Sequence, residues 1–312
     1  MGRMAFVFPG QGAQYVGMAR DIAENYPQAA AVFEEAGDRL GYDMKKLVFE
    51  GPEDRLKITR NTQPAILTAS WAIYKAVETA GAAPDCTAGL SLGEYTAHVL
   101  SGSIGFGDAV ALVEKRGAYM QDEVPEGVGG MSAVLGLDEN TVEEVCSAVA
   151  DIGYAACANY NCPGQTVISG ELAALAAAGD MLLAKGAKRV IPLAVSAPFH
   201  CRLLEGAGKK LKAELDKIEI RDMKIPVYAN ATGEIINGSA EIRDLLVRQV
   251  SSTVKWTNII MNMTSAGVDT FIEIGPGKVL GGLIKKTNRD ACVMNAENME
   301  SLTQVLEFLG KV

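Results

Sequence analysis

Short apolar runs that end in tight turns alternate along the chain with stretches of helical periodicity. The run at residues 5–8 leads into Pro-Gly and the run at 270–274 into Gly-Pro-Gly, a pattern typical of buried strands. Apolar residues spaced three and four apart predict helices elsewhere. The predicted elements are strands at 5–8, 225–228 and 270–274, helices at 29–40, 94–100, 109–121 and 242–250, and a long helix that opens at Asn61 or Thr62. This alternation predicts α/β layers around a mostly parallel sheet.

The chain changes character after the glycine-rich stretch at 125–130. The elements predicted beyond it are strands at 131–135, 155–158, 167–169 and 189–195 and helices at 141–150 and 171–185. Their order, β-α-β-β-α-β, is that of the split βαβ, ferredoxin-like motif. We therefore expect a large α/β-hydrolase-like domain built from residues 1–125 and 196–312, with a smaller ferredoxin-like subdomain inserted at 126–195.

The spacing Gly89-x-Ser91-x-Gly93 is that of a nucleophile elbow, in which a strand turns sharply into a helix. Glycines two positions before and after the serine supply room, because a Cβ there would collide with neighbouring backbone. The serine Oγ then stands exposed, and the N–H of Leu92 points at the group it attacks. The alternative is a strand–turn–helix without catalytic function.

A serine nucleophile needs a base whose pKa is near neutral, and the chain has two histidines. His98 lies two helical turns past Ser91 and points away from it, so a packing or surface role is expected. His200 lies in a loop just after the predicted insertion, where it is free to fold back over the serine. His200 is therefore the candidate base.

Arg116 lies on the apolar face of the helix predicted at 109–121, for which Asp108 is the predicted N-cap. A buried guanidinium needs an anion, yet no acidic residue lies three or four positions away. Two interpretations stay open at this point: a structural ion pair with a distant Asp or Glu, or an anion that comes from outside the chain.

Net charge, cysteine placement and the lengths of the apolar runs exclude several classes of ligand and location. The net charge is −9 without a long basic run, which argues against a nucleic-acid ligand. The six cysteines are scattered, as in reduced cytosolic proteins. No apolar run approaches the roughly eighteen residues of a membrane span, and the N-terminus lacks a signal-peptide pattern. The loop at 9–12 fits neither known phosphate cradle. We expect a cytoplasmic protein with no cofactor and no metal.

Six short strings in this order resemble the malonyl-CoA:acyl carrier protein transacylases of bacterial fatty-acid synthesis, kin to the acyltransferase modules of polyketide synthases. Together they span essentially the whole chain. The strings are Phe8-Pro9-Gly10-Gln11-Gly12-Ala13-Gln14, Gly89-Leu90-Ser91-Leu92-Gly93-Glu94-Tyr95, Arg116-Gly117 with Met120-Gln121, Asn159-Tyr160-Asn161-Cys162-Pro163-Gly164-Gln165, Ala197-Pro198-Phe199-His200 and Glu273-Ile274-Gly275-Pro276-Gly277.

The resemblance implies a role for each matching position. Ser91 would be the nucleophile and His200 the base, oriented by the backbone carbonyl of Gln249. The backbone N–H groups of Gln11 and Leu92 would form the oxyanion hole. Arg116 would bind the free carboxylate of malonate, and Met120 and Phe199 would line the acyl pocket. Acyl carrier proteins are acidic as a class, so docking of the carrier protein or CoA is expected at a local basic patch, first at Lys188 and Arg189 and second at Lys285 and Lys286; a solvated charged face is the alternative interpretation.

The implied reaction moves a malonyl group from malonyl-CoA to the phosphopantetheine thiol of acyl carrier protein through a malonyl-serine ester, in a protein expected to be a monomer. Many relatives carry His where this chain has Leu90, a change expected to alter pocket polarity and not proton transfer. Three alternatives stay open: a serine hydrolase such as a thioesterase, a trans-acting acyltransferase of polyketide synthesis, and an inactive module that binds carrier protein.

Overall fold

The structure is a computed structural model that describes residues 2–79, 81, 83–195 and 197–310; Ser196, where the return to the larger domain was expected, lies outside these ranges. The strands are β1 (Arg3–Phe8), β2 (Cys86–Gly89), β3 (Gly129–Leu135), β4 (Ala155–Cys162), β5 (Gln165–Glu171), β6 (Arg189–Pro192), β7 (Val268–Ile274) and β8 (Cys292–Ala296). The helices are α1 (Arg20–Asn25), α2 (Pro27–Leu40), α3 (Met44–Glu50), α4 (Glu53–Lys57), α5 (Thr59–Glu78), α6 (Gly93–Ser101), α7 (Phe106–Asp122), α8 (Glu139–Ala148), α9 (Leu172–Ala184), α10 (Glu205–Leu215), α11 (Ser239–Ser251), α12 (Trp256–Ser265), α13 (Val279–Thr287) and α14 (Met299–Phe308).

Strands from both ends of the chain form one parallel sheet, in the order β2-β1-β7-β8. Both faces of its central strand are buried: Phe6 and Phe8 pack into one apolar core, and Ala5 and Val7 into another. Helices cover the two faces, which is the usual arrangement for a parallel sheet. The mixed α/β architecture with a parallel sheet is confirmed.

A separate antiparallel sheet has the order β4-β5-β3-β6. Helices α8 and α9 pack on it, and the residues between them form a third apolar core that includes Val134, Val145, Ile168 and Leu182. Every member of this core lies within the segment expected to be inserted. Strand β4 joins this sheet to the core that contains Ala5 and Val7, because Tyr160 donates its N–H at 2.9 Å to the backbone oxygen of Val254, a member of that core.

Two helix starts differ from the prediction. Helix α5 begins at Thr59 and not at Asn61 or Thr62, because only Ile58 separates it from α4. The Thr62 hydroxyl donates to Leu56 O and does not cap the helix. Helix α7 begins at Phe106, so Asp108 lies in its first turn and is not its N-cap.

The strand predicted at 225–228 is reduced to a short extended segment beside the free edge of β2. Thr87 donates its N–H to Pro226 O and accepts from the N–H of Tyr228. A full strand does not form among the described residues, in keeping with the lack of an N–H on Pro226. None of the described helices has the length and apolarity needed to cross a membrane.

Candidate active site

The turn between β2 and α6 carries Ser91, whose φ of +52° lies in the left-handed region. A Cβ on Gly89 would lie 1.9 Å from the carbonyl carbon of Gly93, and a Cβ on Gly93 would lie 2.1 Å from Phe8 O. Both distances are far below van der Waals contact, so the two glycines are required where strand and helix meet. This confirms the steric argument for a nucleophile elbow.

Ser91 contacts a histidine that is remote in sequence. Its Oγ lies 2.7 Å from Nε2 of His200, and Nδ1 of His200 lies 2.8 Å from the backbone oxygen of Gln249. A carbonyl only accepts, so Nδ1 carries the proton, and Nε2 is left to accept the serine proton. The carbonyl of Gln249 occupies the position that a carboxylate takes in a Ser-His-Asp triad.

His200 is buried, and its environment favours the neutral ring. Burial, assisted by the positive charge of Arg116, lowers the pKa of His200 to about 3, although the bond to Gln249 opposes this shift. The imidazole is therefore unprotonated at neutral pH and able to accept the serine proton, although its lowered pKa makes it a weaker base than the near-neutral imidazole expected from the sequence.

Arg116 is 1% exposed and lies beside the nucleophile. Its Nη1 donates to Gln63 Oε1 at 2.8 Å, and its Nη2 donates to Gln249 Oε1 at 2.8 Å and to Ser91 Oγ at 3.2 Å. The ring of Tyr95 lies 5.2 Å from the guanidinium carbon. Within the described residues no carboxylate is in salt-bridge range of this group, so the direct structural ion pair is not found.

The glycine-rich loop after β1 lies against the elbow: a Cβ on Gly10 would be 2.4 Å from Leu90 O. The N–H of Ser91 donates to Asn230 Oδ1 at 2.6 Å. In the hydrogen bonds of the described chain, the N–H groups of Gln11 and Leu92 donate to no protein acceptor. They are free to donate to an oxyanion, and the Gln11 side chain is engaged elsewhere, with Thr59.

A cavity of about 180 Å³ joins these groups. Its lining includes the expected site residues Gln11, Ser91, Arg116, Met120, Phe199 and His200, together with Leu90, Asn159 and Asn161. Leu92 and Gln249 do not line the cavity. Gln249 instead bonds to Ser91, Arg116 and His200, which do. In the part of the chain that is described, no cluster of three or more His, Cys, Asp or Glu side chains is placed to hold a metal ion.

Comparison of the sequence with known proteins shows the family to which this site belongs. The acyl transferase domain family matches residues 5–307. The chain is 43% identical over 310 residues to the malonyl CoA-acyl carrier protein transacylase of Bacillus subtilis, covering 99% of this chain and 98% of that protein. It is 46% identical over 287 residues to that of Escherichia coli K12, covering 92% and 93%. The chain belongs to the malonyl CoA-acyl carrier protein transacylase family.

Solved structures of this family have the same fold. The Clostridium perfringens transacylase superposes with a TM-score of 0.96 at 45% identity, covering 99% of this chain and 97% of that one. A malonyl-transacylase in complex with its type II polyketide synthase acyl-carrier protein superposes with a TM-score of 0.96 at 44% identity, covering 98% and 99%.

Three buried polar residues at the site were not expected from the sequence: Gln63, Glu94 and Asn230. Gln63 holds the guanidinium, and Asn230 holds the elbow through Ser91 N and, from its Nδ2, through Gly89 O at 2.7 Å. Gln63 could have been predicted as a buried polar residue, because it lies beside Pro64 in an apolar helix. Asn230 approaches from a loop 139 positions away from Ser91, and no local pattern indicates it.

The four basic docking candidates lie outside the cavity, Lys188 and Arg189 at the start of β6 and Lys285 and Lys286 in the last turn of α13. Arg189 on β6 pairs with Leu135 on β3, which pairs with Gln165 on β5. Nζ of Lys286 lies 3.5 Å from Oε1 of Gln165. Lys286 therefore reaches the end of the sheet at which Arg189 lies, with two strand spacings between Gln165 and Arg189.

The other histidine, His98, is a packing residue. It is fully buried, and its Nδ1 lies 2.9 Å from Ser103 Oγ. Burial lowers its pKa to about 3. It takes no part in the cavity that contains Ser91.

Because the pKa of His200 is lowered, we expect Ser91 to stay reactive in mildly acidic solution. For an imidazole with the ordinary pKa of about 6.5, the neutral fraction falls about tenfold between pH 7.5 and pH 5.5. We expect the rate at which a neutral fluorophosphonate labels Ser91 to change by less than about twofold over this interval. His200→Ala is the control and should label slowly throughout. A tenfold fall with a midpoint near pH 6.5 in the unmodified protein would contradict this.

Proposed function

We propose that this chain transfers the malonyl group of malonyl-CoA to the phosphopantetheine thiol of acyl carrier protein, through an ester on Ser91, and so supplies the extender unit for fatty-acid synthesis. The observation that carries the proposal is the Arg116 guanidinium, which is buried beside Ser91 Oγ with neutral partners. A carboxylate on the acyl group is the anion that this charge lacks. That the acceptor is acyl carrier protein is taken from the names of the relatives.

The first half-reaction uses the serine and histidine. Nε2 of His200 takes the Ser91 proton as Oγ attacks the thioester carbonyl. The N–H groups of Gln11 and Leu92 stabilise the resulting oxyanion. The carbon–sulfur bond then breaks, and CoA leaves with the proton from the imidazolium. The product is a malonyl ester of Ser91.

The second half-reaction runs the same chemistry in reverse. The carrier's thiol gives its proton to His200 and attacks the ester carbonyl, and Ser91 regains its proton as the carbon–oxygen bond breaks. Ester and thioester are close in energy, so the protein must keep water out more than it must drive transfer. The small cavity and the buried His200 suit that requirement.

Arg116 is proposed to select the acyl group. A guanidinium fork matches a carboxylate with two parallel hydrogen bonds, and in a dry pocket this match is selective. Acetyl-CoA brings no carboxylate and leaves the guanidinium without a direct anionic partner. Phe199, next to the base in the cavity wall, is proposed to crowd a methyl branch on the α-carbon and so to favour malonyl over methylmalonyl groups.

The alternatives have less support. A serine hydrolase of this kind normally orients its histidine with an acidic side chain, whereas here the backbone oxygen of Gln249 takes that place. An inactive binding module does not need Ser91 Oγ at 2.7 Å from the histidine. A role in polyketide synthesis requires the same chemistry and differs only in the carrier.

The carrier protein is proposed to dock at the exposed basic residues Lys188 and Arg189 at the start of β6 and Lys285 and Lys286 at the end of α13. Acyl carrier proteins are acidic, and this chain is itself negative overall, so a local positive surface is needed. A groove of about 550 Å³ between α9 and β6 shares Met131, Leu193 and Val195 with the active-site cavity. Val190, the residue after Arg189, also lines this groove.

The finer divisions of the fold are also proposals. A ferredoxin-like subdomain at 126–195 is supported by the β-α-β-β-α-β order, the strand order β4-β5-β3-β6 and the separate core. A hydrolase-like domain at 1–125 and 196–312 is supported by the elbow at the carboxyl end of a parallel sheet. The monomeric state and the cytoplasmic location stay predictions.

Incubation with malonyl-CoA labelled in the acyl group tests the proposed reaction. We expect stable label on the protein, its loss in Ser91→Ala, and acylation slowed by about 10²–10⁴-fold in His200→Ala, because a general base is removed. Release of free malonate without carrier would indicate a hydrolase, and no label would indicate a binding module. Label that persists in Ser91→Ala would exclude Ser91 as the nucleophile.

The acyl preference tests Arg116. Arg116→Ala should cost malonyl transfer about 2–5 kcal/mol in kcat/KM, the range for breaking a buried charged pair. Acetyl transfer should lose much less or increase, because acetyl makes no such pair. The measurement is kcat/KM for both CoA esters on both proteins. Equal losses for the two substrates would assign Arg116 a structural role instead.

Charge reversal tests the docking surface. Lys188→Glu with Arg189→Glu should raise the KM for acyl carrier protein and leave acylation by malonyl-CoA nearly unchanged. Lys46→Glu is a matched control, because Lys46 is exposed on α3, away from the antiparallel sheet. Equal effects on both half-reactions would indicate CoA binding or general damage.

A further inference from the structure

Glu94 is a buried acid beneath the elbow that the mechanism above does not use. It lies in the first turn of α6, three positions after Ser91, and is fully buried. Its Oε2 accepts from Nε2 of Gln249 at 2.6 Å and from the backbone N–H of Asn230 at 3.1 Å. Among the described residues its Oε1 has no hydrogen-bond partner. A carboxylate buried in this way requires an explanation.

Gln249 connects this acid to the active site at three points. Its Nε2 also donates to Ser91 O at 2.8 Å, and its Oε1 accepts from Arg116 Nη2 at 2.8 Å. Its backbone oxygen accepts from His200 Nδ1 at 2.8 Å. The amide therefore turns its NH₂ toward the carboxylate and its oxygen toward the guanidinium. This orientation complements a negative Glu94 on one side and a positive Arg116 on the other.

We propose that Glu94 is a positioning residue that acts as the counter-charge of Arg116 through the Gln249 amide and gives up that charge, by binding a proton, when the malonyl carboxylate arrives. The free site then holds one cation and one anion. With the substrate bound it would hold two anions for one cation. Protonation of Glu94 restores the balance, and the proton comes from the solvent.

The surroundings of Glu94 allow this change near neutral pH. The charged or titratable groups near it are Arg116 on α7, Tyr95 on its own helix, and His200, which is neutral. Burial raises the pKa of Glu94 to about 7, against the opposing effects of Gln249, Asn230 and Arg116. As the pH rises through this value, the free site becomes more negative, and a second carboxylate is admitted less readily. Malonyl binding should therefore weaken with rising pH.

The inference rests on the proposed role of Arg116, and its test separates the two. Ser91→Ala removes transfer, so that equilibrium binding of malonyl-CoA and acetyl-CoA can be measured by calorimetry between about pH 6 and pH 8.5. Glu94→Gln is added to this background. A glutamine keeps an acceptor oxygen for Gln249 and Asn230 but carries no charge.

At pH 8.5 we expect Glu94→Gln to tighten malonyl-CoA binding about tenfold, the coupling of two unit charges about 10 Å apart at an effective dielectric constant of about 20. The gain should vanish at pH 6, where Glu94 is already neutral. Acetyl-CoA, which shares the CoA but lacks the carboxylate, should show no such gain. Malonyl-CoA binding with Glu94 present should also take up protons from the buffer, and binding to the Glu94→Gln variant should take up far fewer.

The outcomes distinguish the two ideas. If malonyl-CoA is preferred over acetyl-CoA but Glu94→Gln leaves its pH dependence and proton uptake unchanged, the role of Glu94 is overturned and the proposed function stands. If malonyl-CoA is not preferred at all, the proposed function itself fails. With Ser91 intact, Glu94→Ala, which also removes the acceptor for Gln249, should slow acylation more than Glu94→Gln does. Equal slowing in two folded variants would contradict the positioning role.

Discussion

The positive charge of Arg116, held out of water beside the nucleophile, is the constraint on which the rest of the site depends. A buried guanidinium is costly unless its hydrogen-bonding groups are satisfied. Here Gln63 from α5, Gln249 from α11 and Ser91 itself accept from the two terminal nitrogens, and the ring of Tyr95 lies alongside. The buried Nε has no partner among the described residues. The same charge helps to keep His200 unprotonated. The proposed selection of the acyl group and the basicity of the histidine are thus linked through one group.

The second constraint is the close packing of backbone at the elbow. Strand β2, helix α6 and the loop after β1 approach so closely that Gly89, Gly93 and Gly10 leave no room for a Cβ. This contact brings the loop of Gln11 over the serine, while Asn230 takes the N–H of Ser91 itself. The N–H groups of Gln11 and Leu92 have no protein acceptor among the described residues, as the proposed oxyanion hole requires. Close packing and the proposed oxyanion hole therefore have the same structural origin.

Much of the fold and part of the site follow from local pattern. The strands at 5–8 and 270–274 and most helices appear close to their predicted positions, because burial on one face imposes a period that neighbouring residues display. The helix starts at Thr59 and Phe106 were missed, since they depend on how short preceding segments turn. The segment at 225–228 looks like a strand locally but forms only a short pairing with β2.

Spacing along the chain was enough to predict the elbow and the apolar helix face that carries Arg116. It also singled out His200 as the histidine that meets Ser91. These features depend on the pattern within one element or on the scarcity of histidine. The polar groups that support them emerged only from the folded arrangement. Gln249 lies 158 positions from Ser91 and Gln63 lies 53 positions from Arg116, and their amides meet the site only because α11 and α5 pack against the elbow and α7. A hydrogen bond between distant residues has no period along the chain, so its partners become identifiable only when the backbone has brought them within about 3 Å.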